Sequence, residues 1–207
     1  MRECTERSST VSTASRKLTT SSVRLMTRLK SFAIILNMGC IRMKQKKVYV
    51  MSGIPASGKS SWIRNQLTKG CEWVSRDNVR FSFLKDGEDY FAHEDEVFDT
   101  FINYINWALE QEDLHTIFVD ATHINRRSRN KTLVRVNKEN ISELNCVCFT
   151  TPLEVCIARN HLREGRAKVP QPAIENMYRA CVAPVAAEGF DHVYAVDENG
   201  NMKEVNV

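Results

Sequence analysis

Short apolar runs alternate with amphipathic stretches along the chain from about residue 46 onward. The apolar runs have the length and the Val, Ile and aromatic content that are typical of strands. They predict strands over residues 47–52, 72–75, 116–120, 144–149 and 191–196. The stretches between them predict helices over residues 59–68, 77–84, 94–112, 127–140 and 173–180, with a further helix starting at Pro152 after an N-cap at Thr151.

The helix predicted over residues 94–112 has the clearest amphipathic pattern. Its apolar positions recur at helical spacing and define one face, formed by Val97, Phe98, Phe101, Ile102, Ile105 and Leu109. Strands that alternate with such helices predict an α/β fold, in which a mostly parallel sheet carries helices on both faces.

The first 42 residues do not share this pattern. Ser and Thr crowd positions 8–22, and the one apolar run, residues 32–38, is too short to span a bilayer. The segment has the composition of an organelle transit peptide or of a disordered tail, or it is upstream sequence read before a true start at Met43. The last alternative is favoured because Met43 leads almost directly into the first strand, and Met38 is a second candidate start.

Charge and cysteine content narrow the choice of function. The chain has 29 Lys and Arg and 25 Asp and Glu, but 8 basic and only 2 acidic residues lie in residues 1–42. The remainder is slightly acidic, so a polyanion would have to be bound by a local cluster rather than by the overall field. The seven cysteines form no C-x-x-C pair, which argues against a zinc site or a disulfide framework and favours the reducing cytoplasm.

Residues 53–60 read Gly-Ile-Pro-Ala-Ser-Gly-Lys-Ser and match the phosphate-binding loop G-x-x-x-x-G-K-[ST]. A chance glycine turn is the alternative, but strand, loop and helix follow in the order that the motif requires. Backbone N–H groups and the helix N-terminus would bind the phosphates of ATP, Lys59 would reach the β- and γ-phosphates, and Ser60 would bind Mg²⁺. The predicted ATP-binding residues are Gly53, Ala56, Ser57, Gly58, Lys59, Ser60 and Ser61.

Asp120 ends the apolar strand 116–120 and so lies at the carboxyl edge of a parallel sheet, where this architecture binds ligands. We expect its carboxylate to bind Mg²⁺ together with Ser60, although an acid capping the next turn has the same pattern. Thr122 follows in the same loop and is predicted to line the substrate site, whereas His123 is expected to be exposed.

Residues 75–80, Ser-Arg-Asp-Asn-Val-Arg, follow the second strand and face the same crevice. Phosphoryl transfer to a hydroxyl needs a carboxylate that accepts the hydroxyl proton, and Asp77 is the candidate base. Arg80, one helical turn later, could bind an anionic group of the acceptor. The sequence leaves open that Asp77 caps the helix and that Arg80 pairs with a surface acid.

Basic residues cluster again at Arg159, Arg163, Arg166 and Lys168, with Gly165 as a possible hinge. Such a run is often a solvated helix face. Next to a triphosphate it is better explained as a mobile arginine lid, because guanidinium groups suit the charge that spreads over the transferring phosphoryl group.

Four segments between about residues 46 and 182 resemble the P-loop polynucleotide kinase family, the kinase domains of phage-type 5′-hydroxyl polynucleotide kinases and their AAA-like relatives. The segments are Gly-Ile-Pro-Ala-Ser-Gly-Lys-Ser-Ser-Trp at 53–62, Arg-Asp-x-x-Arg at 76–80, Asp-Ala-Thr-His-Ile-Asn at 120–125 followed by two arginines, and Arg-Asn-x-x-Arg at 159–163 leading to Val-Pro at 169–170.

The resemblance implies a P-loop NTPase three-layer sandwich, with a central mostly parallel sheet and an arginine-bearing helical lid, over residues 43–207. It also implies that Asp77 is the general base, that Arg80 contacts an acceptor phosphate and that Arg163 stabilises the transferring group. Arg166 remains an alternative to Arg163, because the spacing from the lid to Val-Pro is one residue longer than in the phage form.

The expected function is Mg²⁺- and ATP-dependent transfer of the γ-phosphoryl group to a hydroxyl, with a polynucleotide 5′-OH favoured as acceptor. A P-loop kinase for a nucleoside or metabolite is the nearest alternative, and a non-kinase ATP-binding regulatory module is a third. The core lacks the basic and aromatic surplus of a general single-strand groove. No membrane association is expected, and the sequence does not indicate a protein partner.

Overall fold

The computed structural model describes residues 46–206. The prediction that residues 1–42 are an extension, with a start at Met43, lies outside the described residues.

The strands and helices alternate as the hydrophobic pattern predicts. The strands are β1 Lys46–Ser52, β2 Cys71–Ser75, β3 Thr116–Asp120, β4 Ile141–Phe149, β5 His192–Val196 and β6 Met202–Glu204. The helices are α1 Lys59–Gln66, α2 Arg76–Phe83, α3 Glu94–Glu110, α4 Arg126–Leu133, α5 Leu153–His161 and α6 Gln171–Arg179.

All six strands form one sheet in the order β2-β3-β1-β4-β5-β6. The first five are parallel, and β6 pairs with β5 in the antiparallel direction. From β1 the chain runs to β2 and β3 on one side of β1 and then crosses to β4 on the other side. The direction in which strands are added to the sheet therefore reverses next to β1. The carboxyl ends of β1, β3 and β4 therefore border a crevice of the kind that binds ligands in α/β proteins. The predicted α/β fold of P-loop NTPase type is confirmed.

Alternating side chains along the strands build a core on each face of the sheet. Val48 and Val50 of β1 belong to the cluster that buries the predicted apolar face of α3. Met51 of β1 and Ile63 of α1 belong to the cluster on the other face. Two helical layers and the sheet between them make the three-layer arrangement.

Two boundaries differ from the prediction by three residues or more. The helix expected over residues 127–140 ends at Leu133, and β4 begins at Ile141 instead of residue 144. A turn closes between them, in which the N–H of Ile141 donates to the carbonyl of Lys138. The strand β6 was not predicted, because its three residues are all exposed and carry no apolar alternation.

Between residues 46 and 206, no helix is both long and apolar enough to cross a membrane.

Candidate active site

The phosphate-binding loop joins β1 to α1, and its tight path explains its small residues. A Cβ at Gly53 would lie 2.8 Å from the Ser57 Oγ and 2.9 Å from the Phe149 Cβ, so a side chain does not fit there. Gly58 has a φ of 103° and Ala56 a φ of 63°, both in the left-handed region that favours glycine. The loop therefore holds its shape through close backbone packing.

Two neighbouring strands anchor this loop. The N–H of Gly53 donates to the carbonyl of Thr122, after β3, at 2.8 Å. Thr151, after β4, donates its hydroxyl to the Ser57 carbonyl at 2.7 Å. Thr151 was predicted to cap α5, which is wrong, since Pro152 occupies the N-cap position and the threonine is engaged by the loop.

Lys59 is the first residue of α1, and its side chain turns back to the phosphate-binding loop. Its ammonium donates to the carbonyls of Gly53 and Ile54, both at 2.9 Å. Burial lowers the pKa of Lys59, and the carboxylates of Asp120 and Asp77 act in the opposite direction. Ser57 Oγ is buried and has no hydrogen-bond partner within residues 46–206.

The predicted metal ligands lie together beside the loop. The hydroxyl of Ser60 donates to Oδ2 of Asp120 at 3.1 Å, and the indole N–H of Trp73 donates to the same oxygen at 3.1 Å. Burial raises the pKa of Asp120, and Lys59 opposes this shift. One carboxylate and one hydroxyl are hard oxygen donors, a set that suits Mg²⁺ bound jointly with substrate phosphates. The chain thus offers a fitting half-site, and among the described residues no cluster of three His, Cys, Asp or Glu offers another.

Asp77 and Arg80 lie at the start of α2, after β2. The helix is capped by the Ser75 side chain, which accepts from the N–H of Asn78, so Asp77 is not the cap. The Asp77 side chain is 64% exposed, and that of Arg80 is 7% exposed. Asp77 is therefore accessible to an acceptor, whereas Arg80 is enclosed by protein.

Arg80 is held by two carboxylates and a phenol. Its Nη1 donates to Oδ1 of Asp77 and, at 2.9 Å, to the Tyr90 hydroxyl. Its Nη2 donates to Oε2 of Glu94 at 2.9 Å, and Glu94 also pairs with Arg76. The ring of Tyr90 lies under the guanidinium, 4.5 Å from its Cζ. The predicted contact of Arg80 with an acceptor phosphate stays a prediction, and it would compete with these partners.

A cavity of about 610 Å³ lies on the outer side of the loop. It is bordered by α1, by α5 and by the turn between β5 and β6. Arg159 and Arg163 line it, and Arg159 donates to the Glu198 carbonyl at 2.8 Å. The turn of residues 197–200 was missed in the sequence, although its Asp-Glu-Asn-Gly run is a turn signal. The cavity is large enough for the nucleoside part of a nucleotide.

The two lid arginines that the sequence could not separate lie at different places. Arg163 lines the nucleotide cavity and donates to the Ala167 carbonyl at 3.3 Å. Arg166 reaches the segment after α2, where it donates to the Leu84 carbonyl at 3.2 Å and to the Asp86 carboxylate at 3.0 Å. Arg163 thus borders the cavity beside the phosphate-binding loop, whereas Arg166 bonds to the segment that follows α2.

His123 was expected to be exposed, and this expectation is wrong. It is 3% exposed, with Nδ1 3.0 Å from the Met51 carbonyl and Nε2 3.0 Å from the Thr132 hydroxyl. Burial lowers the pKa of His123 to about 4, so the ring is neutral at pH 7. The two hydrogen bonds of His123 link the loop after β3 to β1 and to α4. Thr122 in the same loop is half-buried, and its carbonyl accepts from the phosphate-binding loop.

Several solved structures share this fold at low sequence identity. A Pnkp1/Rnl/Hen1 RNA repair complex matches with a TM-score of 0.56 and 22% identity, over 68% of this chain and 45% of that one. A fungal RNA kinase matches with a TM-score of 0.54 and 14% identity, over 74% of this chain and 38% of that one. Kti12 of Chaetomium thermophilum, in complex with ADP-AlF3, matches with a TM-score of 0.50 and 10% identity, over 72% of this chain and 88% of that one. The chain thus spans less than half of the RNA repair protein and of the fungal kinase.

The fold and the site together define an ATP-binding P-loop domain of the kinase type. A family model described as an AAA domain matches residues 48–184, and the chain therefore belongs to this family. No curated protein sequence matches it significantly.

Proposed function

We propose that this protein transfers the γ-phosphoryl group of ATP to the 5′-hydroxyl of a polynucleotide. The observation that carries the proposal is an exposed carboxylate beside a phosphate-binding lysine. Asp77 is open to solvent, yet it lies near enough to Lys59 and Asp120 for its charge to act on the pKa of both. A hydroxyl acceptor needs such a base across from the γ-phosphate.

The residues divide the reaction between them. The loop amides and Lys59 bind the phosphates, and Arg163 stabilises charge on the transferring group. Ser60 and Asp120 would hold Mg²⁺, which supplies charge neutralisation on the β- and γ-phosphates when bound. Asp77 accepts the proton of the acceptor hydroxyl as its oxygen forms the bond to the γ-phosphorus, and the bond from that phosphorus to the β–γ bridging oxygen breaks to release ADP.

A polynucleotide acceptor is supported by the groups around the crevice. Arg126 and Arg127 are exposed at the start of α4. This helix begins shortly after Asp120, the last residue of β3. Phe91, next to Tyr90, is 60% exposed, and exposed aromatic rings stack on nucleobases. The same fold occurs in an RNA repair complex and in a fungal RNA kinase.

The environment of Arg80 favours a second candidate function, a kinase for a neutral small molecule. Its guanidinium is already bonded to Asp77 and Glu94, so it offers little free charge to an acceptor phosphate. An acceptor without a phosphate would leave this network intact.

Transfer from γ-labelled ATP separates the two candidates. 5′-OH RNA and DNA oligonucleotides are compared with nucleosides and sugars, each with the wild-type protein and with Asp77→Asn. The proposal requires labelled oligonucleotides as the main product and loss of that product in the variant, with ATP affinity retained. Faster transfer to a nucleoside or sugar establishes the second candidate, and hydrolysis without any transfer rejects both.

A further inference from the structure

Asp77 presents its two carboxylate oxygens differently. Oδ1 accepts from Nη1 of Arg80 and from the hydroxyl of Tyr90, the latter at 2.9 Å. Oδ2 has no hydrogen bond to any residue in the described part of the chain, and the side chain is largely exposed. One oxygen is thus fixed by protein, and the other has no hydrogen bond within residues 46–206.

The two groups that fix Oδ1 are themselves well held. Arg80 is anchored by Glu94 at the start of α3 and packs on the Tyr90 ring. Tyr90 also contacts Phe91 edge to face, with ring centroids 4.9 Å apart, and Phe81 at 6.3 Å. The phenol therefore reaches Asp77 from a packed position rather than from a free surface side chain.

We propose that Tyr90 is a positioning residue, which with Arg80 holds Oδ1 of Asp77 and leaves Oδ2 as the oxygen that accepts the hydroxyl proton. The inference rests on the proposed kinase function. Without the phenol the carboxylate can rotate about its last bond, and both oxygens compete for the place beside the acceptor. Ordered geometry of this kind contributes to the rate and not to nucleotide affinity.

The phenol suits this task over the working pH range. Burial and the charge of Asp77 raise the pKa of Tyr90 to about 12, so the hydroxyl keeps its proton and remains a donor at neutral pH.

The test is Tyr90→Phe, which removes the hydroxyl and keeps the ring under Arg80. Tyr104→Phe is the matched control, because Tyr104 donates to Glu72 at 3.0 Å from α3 and has no contact with Asp77. We expect about a tenfold lower kcat for transfer in Tyr90→Phe, with the KM for ATP unchanged. Tyr104→Phe keeps the wild-type rate.

A double variant separates positioning from general packing. In an Asp77→Asn background, Tyr90→Phe should cause little further loss, since it acts through the carboxylate. An additive loss, a raised KM for ATP, or a melting temperature that falls more than that of the control overturns the inference. Wild-type transfer with an undiminished Tyr90→Phe rate rejects the role of Tyr90 alone, whereas absence of transfer in the wild type rejects the proposed function.

Discussion

The ion pair between Arg129 and Glu188 allows a sharp prediction about stability. Nε and Nη2 of Arg129 donate to the two carboxylate oxygens of Glu188 at 2.7 and 2.8 Å. Their side chains are 0% and 4% exposed. Arg129 also donates to the carbonyls of Val182 and His123, at 2.9 and 3.2 Å. The pair thus ties residues 182–188 to the loop after β3 that supports the phosphate-binding loop.

Glu188→Gln removes one charge and leaves the guanidinium buried without its partner. Removing one member of a buried pair costs about 3–5 kcal/mol of the free energy of unfolding, most of it from the charge left behind. For a domain of this size that corresponds to a melting temperature lower by about 10 °C. Arg135 and Asp99 form an exposed pair, with side chains 43% and 60% exposed, and Asp99→Asn should cost less than about 1 kcal/mol.

Urea unfolding followed by far-ultraviolet circular dichroism measures both variants against the wild type. The pH dependence gives a second check. Arg129 lowers the pKa of Glu188 in the folded state, so the contribution of the pair is complete above the unfolded value of about 4.3 and is lost as the pH falls through the folded value. Glu188→Gln should therefore lose less stability in acid than the wild type. Equal effects of the Glu188 and Asp99 variants would refute the reasoning.

Three further predictions concern the phosphate-binding loop. Lys59→Ala should lower turnover by about a thousandfold with an unchanged melting temperature, and retained activity in a transfer assay would contradict the site. Ser60→Ala should show a rate defect that becomes smaller as Mg²⁺ is raised, because the lost ligand is a metal ligand, and a defect independent of Mg²⁺ would contradict that role. Gly53→Ala should weaken nucleotide binding and lower the free energy of unfolding by about 1–3 kcal/mol, because the added Cβ would collide with Ser57 and Phe149. A normal ATP affinity, measured by calorimetry, would contradict this prediction.

The parts of the site that the sequence predicts are those carried by contiguous residues or by the end of a strand. The phosphate-binding loop is one unbroken motif, and the apolar run 116–120 places Asp120 at the sheet edge. The contact between Ser60 and Asp120 then follows from the parallel order of β1 and β3.

The parts that the sequence does not predict depend on side chains that meet across the fold. Trp73 has the sequence pattern of an ordinary strand residue, but in the structure its indole N–H donates to Asp120, 47 positions away. The sequence predicts Glu94 only as an acid in the first turn of α3 and Tyr90 only as part of a turn. In the structure both accept hydrogen bonds from Arg80. Neither periodicity nor spacing carries this information, because a partner across the crevice can come from any element.

The short strand β6 forms one edge of the sheet. Its three residues cover the β5 edge, whose unpaired N–H and C=O groups would otherwise be a template for pairing with another chain. Loss of Met202–Glu204 would therefore favour self-association through β5. Because the turn before β6 also lines the cavity beside the phosphate-binding loop, the same loss would loosen nucleotide binding. Removal of this one strand should thus affect both self-association and nucleotide binding.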